Sequence, residues 1–216
     1  GASALLARRD VDTASICALL EKSRLAGYFH TLVSASTVAR FFSATELDGL
    51  AASYRRQVAK CENNIALLAV VGKRLEEASV PFLTIKGLYL AQRFFGDVRR
   101  RFMWDVDILV RSADLNIAIA AVEPLGLLAH DGFKVEPRNP FWGIHAVEVR
   151  GPAGKLDIHH AIRTLPKISF DYAMIWSRAQ KFTVGTANFA TLSDTDHLLT
   201  AAVGLAADVQ TSHHNL

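Results

Sequence analysis

"RRRFMWDVDILV", residues 99–110, places two carboxylates, Asp105 and Asp107, one residue apart at the mouth of a strongly apolar run. Aspartate is a poor strand former, and an unpaired buried charge is expensive. Basic side chains or a metal ion must therefore offset the pair. On a strand, side chains at i and i+2 share a face, so the two acids stand side by side, about 7 Å apart along the backbone. Val106, Ile108 and Val110 are then free to fill the opposite face.

Two convergent carboxylates suit a hard divalent cation with oxygen ligands, typically Mg²⁺. A pair of such ions about 3.5–4 Å apart calls for a third carboxylate from another strand. "GKLDIHH" (154–160) offers Asp157 on an alternating strand whose Leu156 and Ile158 face the other way. His159 shares the face of Asp157 and lies within reach of a substrate or a metal. Zinc is poorly supported, since no Cys or second well-spaced His accompanies it. On its own a D-x-D pair is common and reads equally well as a solvated strand end. The order raises its value: strand, Lys86-Gly87, helix, D-x-D on the next strand, then a lone Asp on a later one.

Outward from this stretch, residues 12–76 read as helical throughout. Leu47, Leu50, Ala51, Tyr54, Val58, Cys61, Ile65, Leu68 and Leu75 recur at three- and four-residue steps, with Thr45 as the N-cap and a break near Asn63-Asn64. From Ser79 the texture changes. "VPFLTIKG" (80–87) is a short strand, "LYLAQRFFG" (88–96) an amphipathic helix and "DVDILVR" (105–111) the next strand. "SADLNIAIAAVEPLG" (112–126) is a helix with Ser112 as N-cap, stopped by Pro124-Leu125-Gly126. "HAVEVRGPAGKLDIHHAI" (145–162) reads as a hairpin about Gly151-Pro152-Ala153-Gly154, and "KFTVGTANFATL" (181–192) as a weaker one about Gly185. A helix capped by Ser193 or Asp194 follows. The expected organisation is an N-terminal helical region (1–78), an α+β domain with a mixed sheet (79–192) and the start of a C-terminal helical region (193–216).

"FLTIKGLYLAQRFFGDVRRRFMWDVDILVRSADL" (82–115) resembles the nucleotidyltransferase superfamily with the DNA polymerase β fold. More narrowly, it is similar to its bacterial branch of uncharacterised nucleotidyltransferases. The match is close over 80–126 and over "KLDIHHAI" (155–162), looser at "FATLSDTDHLLTAA" (189–202), and only helical in character before residue 77. The resemblance implies that Gly87 marks the turn where a nucleoside triphosphate (NTP) approaches the backbone, beside a helix N-terminus that favours phosphate. It implies that Lys86 contacts phosphate and that Arg101 pairs with the carboxylates or the triphosphate. Asp105, Asp107 and Asp157 become the catalytic and metal-binding acids, for Mg²⁺ or Mn²⁺. The implied chemistry is in-line attack of an acceptor hydroxyl on the α-phosphate, releasing pyrophosphate. The chain departs from the superfamily pattern at Leu88, where a small or hydroxyl residue is usual, and at Trp104, which precedes the first Asp.

Half of the 216 residues are hydrophobic, enough for one sizeable core. A formal net charge of only +3 does not demand a nucleic-acid partner. The acceptor class stays open among a small molecule, a protein side chain and an RNA end. Two cysteines, Cys17 and Cys61, fit reduced thiols in the cytoplasm. No apolar run reaches the length of about 20 residues that spans a bilayer, so no membrane partner is expected. The C-terminal "DVQTSHHNL" lacks a helix stop, and continuation of the chain is expected there. Arg99 and Arg100 read as solvated bystanders, and Trp142 as a core or lid aromatic rather than a base-stacking one. The rival reading is a catalytically degenerate fold that binds a nucleotide or partner as a regulatory or toxin–antitoxin module.

Overall fold

The computed structural model describes residues 12–129, 145–162 and 168–213; Trp142 and His214 lie outside them. The chain divides into two compact units, the first from 1–63 with 90–104 and the second from 64–89 with 105–216.

In the first unit, helices α1 (Thr13–Lys22) and α2 (Ala26–Val33) precede the start of α3 (Ala44–Glu77). Aromatic edges pack α2 within this unit: Tyr28 meets Phe95 at 5.2 Å and Phe29 meets Phe42 at 5.8 Å between ring centroids. Gln57 Nε2 donates to the Arg99 carbonyl at 2.6 Å. The Arg24 guanidinium lies 4.6 Å from the centroid of the exposed Trp104 ring, so the bulky residue before Asp105 is occupied within its own unit.

Helix α3 runs unbroken for 34 residues. The expected break at Asn63-Asn64 is absent because the buried Asn64 amide finds a tertiary acceptor, the Asp105 carbonyl, at 3.4 Å. An Asn whose side chain is engaged elsewhere no longer competes for its own helix backbone. Nor is Thr45 the cap. Glu46 N–H donates to Ser43 Oγ at 3.3 Å while Ser43 N–H donates to Glu46 Oε2 at 2.7 Å, a reciprocal capping box.

The second unit carries a seven-stranded mixed sheet in the order β3-β4-β5-β2-β1-β7-β6. Its strands are β1 (Phe82–Thr84), β2 (Val106–Val110), β3 (Leu128–Ala129), β4 (Ala146–Gly151), β5 (Gly154–His159), β6 (Gln180–Val184) and β7 (Ala187–Thr191). Helix α4 (Gly87–Phe95) links β1 to its antiparallel neighbour β2, and β2 runs parallel to β5. Val106, Ile108, Leu156 and Ile158 are buried on one face of that parallel pair. On the other face Leu109 joins Leu83, Ile85, Ile162, Ile175 and Leu192 in a core cluster packed against Trp176 of α6 (Tyr172–Ser177).

The segment expected as one helix over 112–126 is a 3-10 turn, then α5 (Leu115–Val122), then a second 3-10 turn ending at Gly126 with φ +73°. Ser112 caps nothing; its Oγ donates to the His160 carbonyl at 2.9 Å. Helix α7 (Asp194–His213) is capped by Ser193, whose Oγ accepts from Asp196 N–H at 3.1 Å.

Both expected hairpins form, β4–β5 closing at the Gly151–Gly154 pair and β6–β7 turning at Gly185. At Gly151 a Cβ would fall well inside van der Waals contact of the Gly126 carbonyl oxygen, a backbone atom that cannot rotate away. Gly151→Ala should therefore cost about 3 kcal/mol, the upper end for overpacking. Chemical denaturation would measure this, and a midpoint equal to wild type would contradict the close approach.

Candidate active site

The parallel β2–β5 register sets Asp107 directly beside Asp157, and antiparallel β4 adds Glu148 next to Asp157. Three acids thus stand in a row across three strands. Asp105 precedes β2 on the same face, as does Lys155 two residues before Asp157. The i, i+2 alternation of both strands produces this, since Val106, Leu156 and Ile158 go to the apolar face.

Lysines answer the charge. Lys86, held at φ +57° in the turn between β1 and α4, brings its Nζ to 2.7 Å from Asp107 Oδ1. His159 Nε2 lies 2.9 Å from the same oxygen and 3.3 Å from Lys86 Nζ. Lys155 Nζ sits 2.9 Å from Asp105 Oδ2, 2.8 Å from Glu148 Oε2 and 3.4 Å from Asp157 Oδ1. That last oxygen is buried and accepts no hydrogen bond.

The two central acids differ in proton affinity. Burial opposes charge on Asp107, but the His159 hydrogen bond and the Lys86 ammonium outweigh it and hold the carboxyl below its ordinary range. Burial raises Asp157, and the charges of Asp105 and Asp107 add to that against the pull of Lys155. Burial also works against the Lys155 ammonium. Its hydrogen bonds to Glu148 and Asp105, with the charges of Asp105 and Asp157, reverse the effect and keep it firmly protonated.

The structure therefore brings Asp105, Asp107, Asp157 and Lys86 together, with Gly87 opening α4 immediately after the lysine. Arg101 belongs to the other compact unit. Leu88 is buried in the first turn of α4. Sequence reasoning passed over Lys155 and Glu148; their i, i+2 and cross-hairpin relation to Asp157 was the available signal. It weighed His159 only loosely. Asp107, Asp157 and His159 present ligand atoms all within 4.8 Å of one another, so the donor set fits a divalent cation. A largely apolar cavity of about 840 Å³ lies elsewhere, beside Phe82, Trp176 and Phe189, and none of the site residues lines it.

This constellation on a mixed sheet agrees with the family comparison. The profile of a family described as uncharacterised nucleotidyltransferases matches residues 9–216. The chain belongs to this family. A candidate nucleotidyltransferase of Thermotoga maritima, solved as a crystal structure, superposes with a TM-score of 0.51 at 12% identity, covering 70% of this chain and 93% of that one. The lincosamide antibiotic adenylyltransferase LnuA, bound to lincomycin, matches at a TM-score of 0.41 and 15% identity over 64% of this chain and 83% of its own. The antibiotic-resistance factor ANT(2'')-Ia matches at 0.42 and 12%, over 70% and 97%. No curated protein matches significantly. The fold is the α+β fold of polymerase β-like nucleotidyltransferases. Among the described residues no helix is long and apolar enough to cross a membrane.

Proposed function

We propose that this member of the family is a metal-dependent enzyme that transfers a nucleoside monophosphate from an NTP to an acceptor hydroxyl. The observation that carries the reading is the β2–β5 register, which sets Asp107 beside Asp157 with Asp105 on the same face. In this reading residues 79–192 form the catalytic domain, and Lys86 and Gly87 receive the triphosphate. Lys86 is suited to that task because its half-exposed ammonium can exchange Asp107 for a phosphate oxygen. The buried backbone at Gly87 and the start of α4 add N–H donors for the same anion. Divalent metal held among these acids would neutralise charge on the transferred phosphoryl group and lower the pKa of the attacking hydroxyl. The acceptor oxygen forms its bond to the α-phosphorus as the α–β bridging P–O bond breaks. The electron pair leaves with pyrophosphate, and the hydroxyl proton passes to Asp157.

One observation favours the rival reading of a binding module. Lys86 and Lys155 already pair with all three acids within the protein. Calorimetry with each NTP in the presence of Mg²⁺ or Mn²⁺ separates the two readings from a chain with no nucleotide role. Release of pyrophosphate and labelling of protein, small-molecule or RNA acceptors then separates enzyme from module. The enzyme reading expects both binding and release. Absence of NTP affinity at millimolar concentration, with metal present, defeats it.

A further inference from the structure

The geometry points to a centre that takes one divalent ion, of the Mn²⁺ class, through Asp107, Asp157 and His159, with the Lys155 ammonium standing in for a second ion. This rests on the nucleotidyltransferase reading above and deepens it.

Lys155 is the cation at the centre of the acids. Its Nζ lies within 3.4 Å of oxygens from Asp105, Asp157 and Glu148, so three carboxylates surround a single ammonium. An ammonium carries three donors, and these three acceptors match that number. An ion shared by Asp105 and Asp157 would need the position this group holds. Displacing it would strip a half-buried cation of its partners and set like charges within a few ångströms of each other. The base of the Lys155 side chain is fixed, because β5 is paired on both sides and its neighbours Leu156 and Ile158 are fully buried.

On the other side of Asp157 the donors differ. Asp107, Asp157 and His159 keep their ligand atoms within 4.8 Å of one another. An ion with ligands at about 2.2 Å holds them no more than about 4.4 Å apart, so small side-chain adjustments close the gap. The buried Asp157 Oδ1 makes no hydrogen bond and has only the Lys155 ammonium near it, at 3.4 Å, so its lone pairs are left for an ion on the His159 side. His159 is almost wholly buried on a paired strand, so its ring is fixed before an ion arrives. A nitrogen donor disfavours Mg²⁺ relative to first-row ions, for which imidazole is a good ligand.

An ion at this position also changes the role of Lys86. Its ammonium now shares Asp107 with His159, and an ion on Asp107 would release it towards phosphate.

The test uses Mn²⁺ as the probe, with the full chain and an NTP analogue that cannot be cleaved between its α- and β-phosphates. Electron paramagnetic resonance should show an isolated Mn²⁺ per chain, and pulsed measurements should show coupling to a nitrogen that disappears in His159→Gln. Mn²⁺ should bind about tenfold or more tightly than Mg²⁺, a preference that His159→Gln removes. Lys155→Met, which keeps the bulk and removes the charge, should admit a second ion and give the spectrum of a spin-coupled pair. A coupled pair in the wild type, or no nitrogen coupling, overturns this inference while leaving metal-dependent transfer standing. Failure of any divalent ion to bind, with or without the analogue, removes the metal-dependent reading as well.

Discussion

Asp157→Asn should lower turnover by on the order of a thousandfold or more while leaving NTP affinity within about tenfold, roughly 1.4 kcal/mol. The substitution is nearly isosteric, and β5 is held by Leu156 and Ile158 on the face away from the site, so the strand should stay in place. Lys155 loses one partner of three and keeps Asp105 and Glu148. What disappears is the negative charge beside Asp107 and the group proposed to accept the hydroxyl proton. Lys86 and Gly87, the proposed triphosphate contacts, are untouched. An interaction used only in the transition state lowers turnover without weakening ground-state binding, and that split distinguishes chemistry from architecture. Pyrophosphate release and calorimetry at saturating metal would measure the two arms, with circular dichroism to confirm folding. Wild-type turnover in Asp157→Asn would mean that Asp157 is not the third catalytic acid.

The legible parts of this site were those encoded by local alternation. A residue's face on a strand follows from counting by two, and this placed Asp105 with Asp107 and set Asp157 apart from Leu156 and Ile158. The same counting found both hairpins. Pairing between distant strands has no local code. That β2 lies parallel to β5, with 107 against 157, depends on the whole sheet, so the Lys155 and His159 contacts emerged only with the fold. Helix interruptions failed for a related reason. Asn63-Asn64 looks like a break in isolation, yet a tertiary acceptor for the buried Asn64 removes the conflict. The start of α3 was within reach of sequence reasoning, because Ser43 and Glu46 have capping-box spacing; Thr45, two residues closer to the apolar run, drew attention away.

Acidification should destabilise the second unit between pH 6.5 and about 4, through a histidine behind the Lys86 turn. His197 is buried in α7, stacked on Tyr89 of α4 with ring centroids 4.7 Å apart, and its Nε2 lies 2.9 Å from Thr191 Oγ1. The Thr191 hydroxyl donates to the Thr84 carbonyl at 2.6 Å, so Nε2 must carry the proton and donate to Oγ1. Burial drives the pKa of His197 down to about 4, although Asp194 and Asp196 pull upward. An unfolded histidine titrates near 6.5. Above that value neither state binds the proton and the full stability is present. As pH falls, the unfolded chain takes up the proton first, and the difference grows until the folded ring also titrates near 4. The shift is worth about 2–3 kcal/mol after allowance for partial solvent access, or about 4–12 °C in melting temperature for a chain of this size. Asp196 and Asp107, both depressed, lose their contributions only below the ordinary carboxylate range, so they do not produce this window. Asp157 acts with the opposite sign, because a raised carboxyl binds its proton more readily in the folded state. A His197→Gln variant keeps a side-chain amide to donate to Thr191 and has no titrating ring. Its melting temperature should start lower at pH 7.5 and fall less between pH 6.5 and 4 than that of the wild type. Parallel slopes in the two proteins would show that His197 is not the acid-sensitive group. A shallower slope would trace the sensitivity to the Thr84–Thr191–His197 brace, which holds β1 two residues before Lys86.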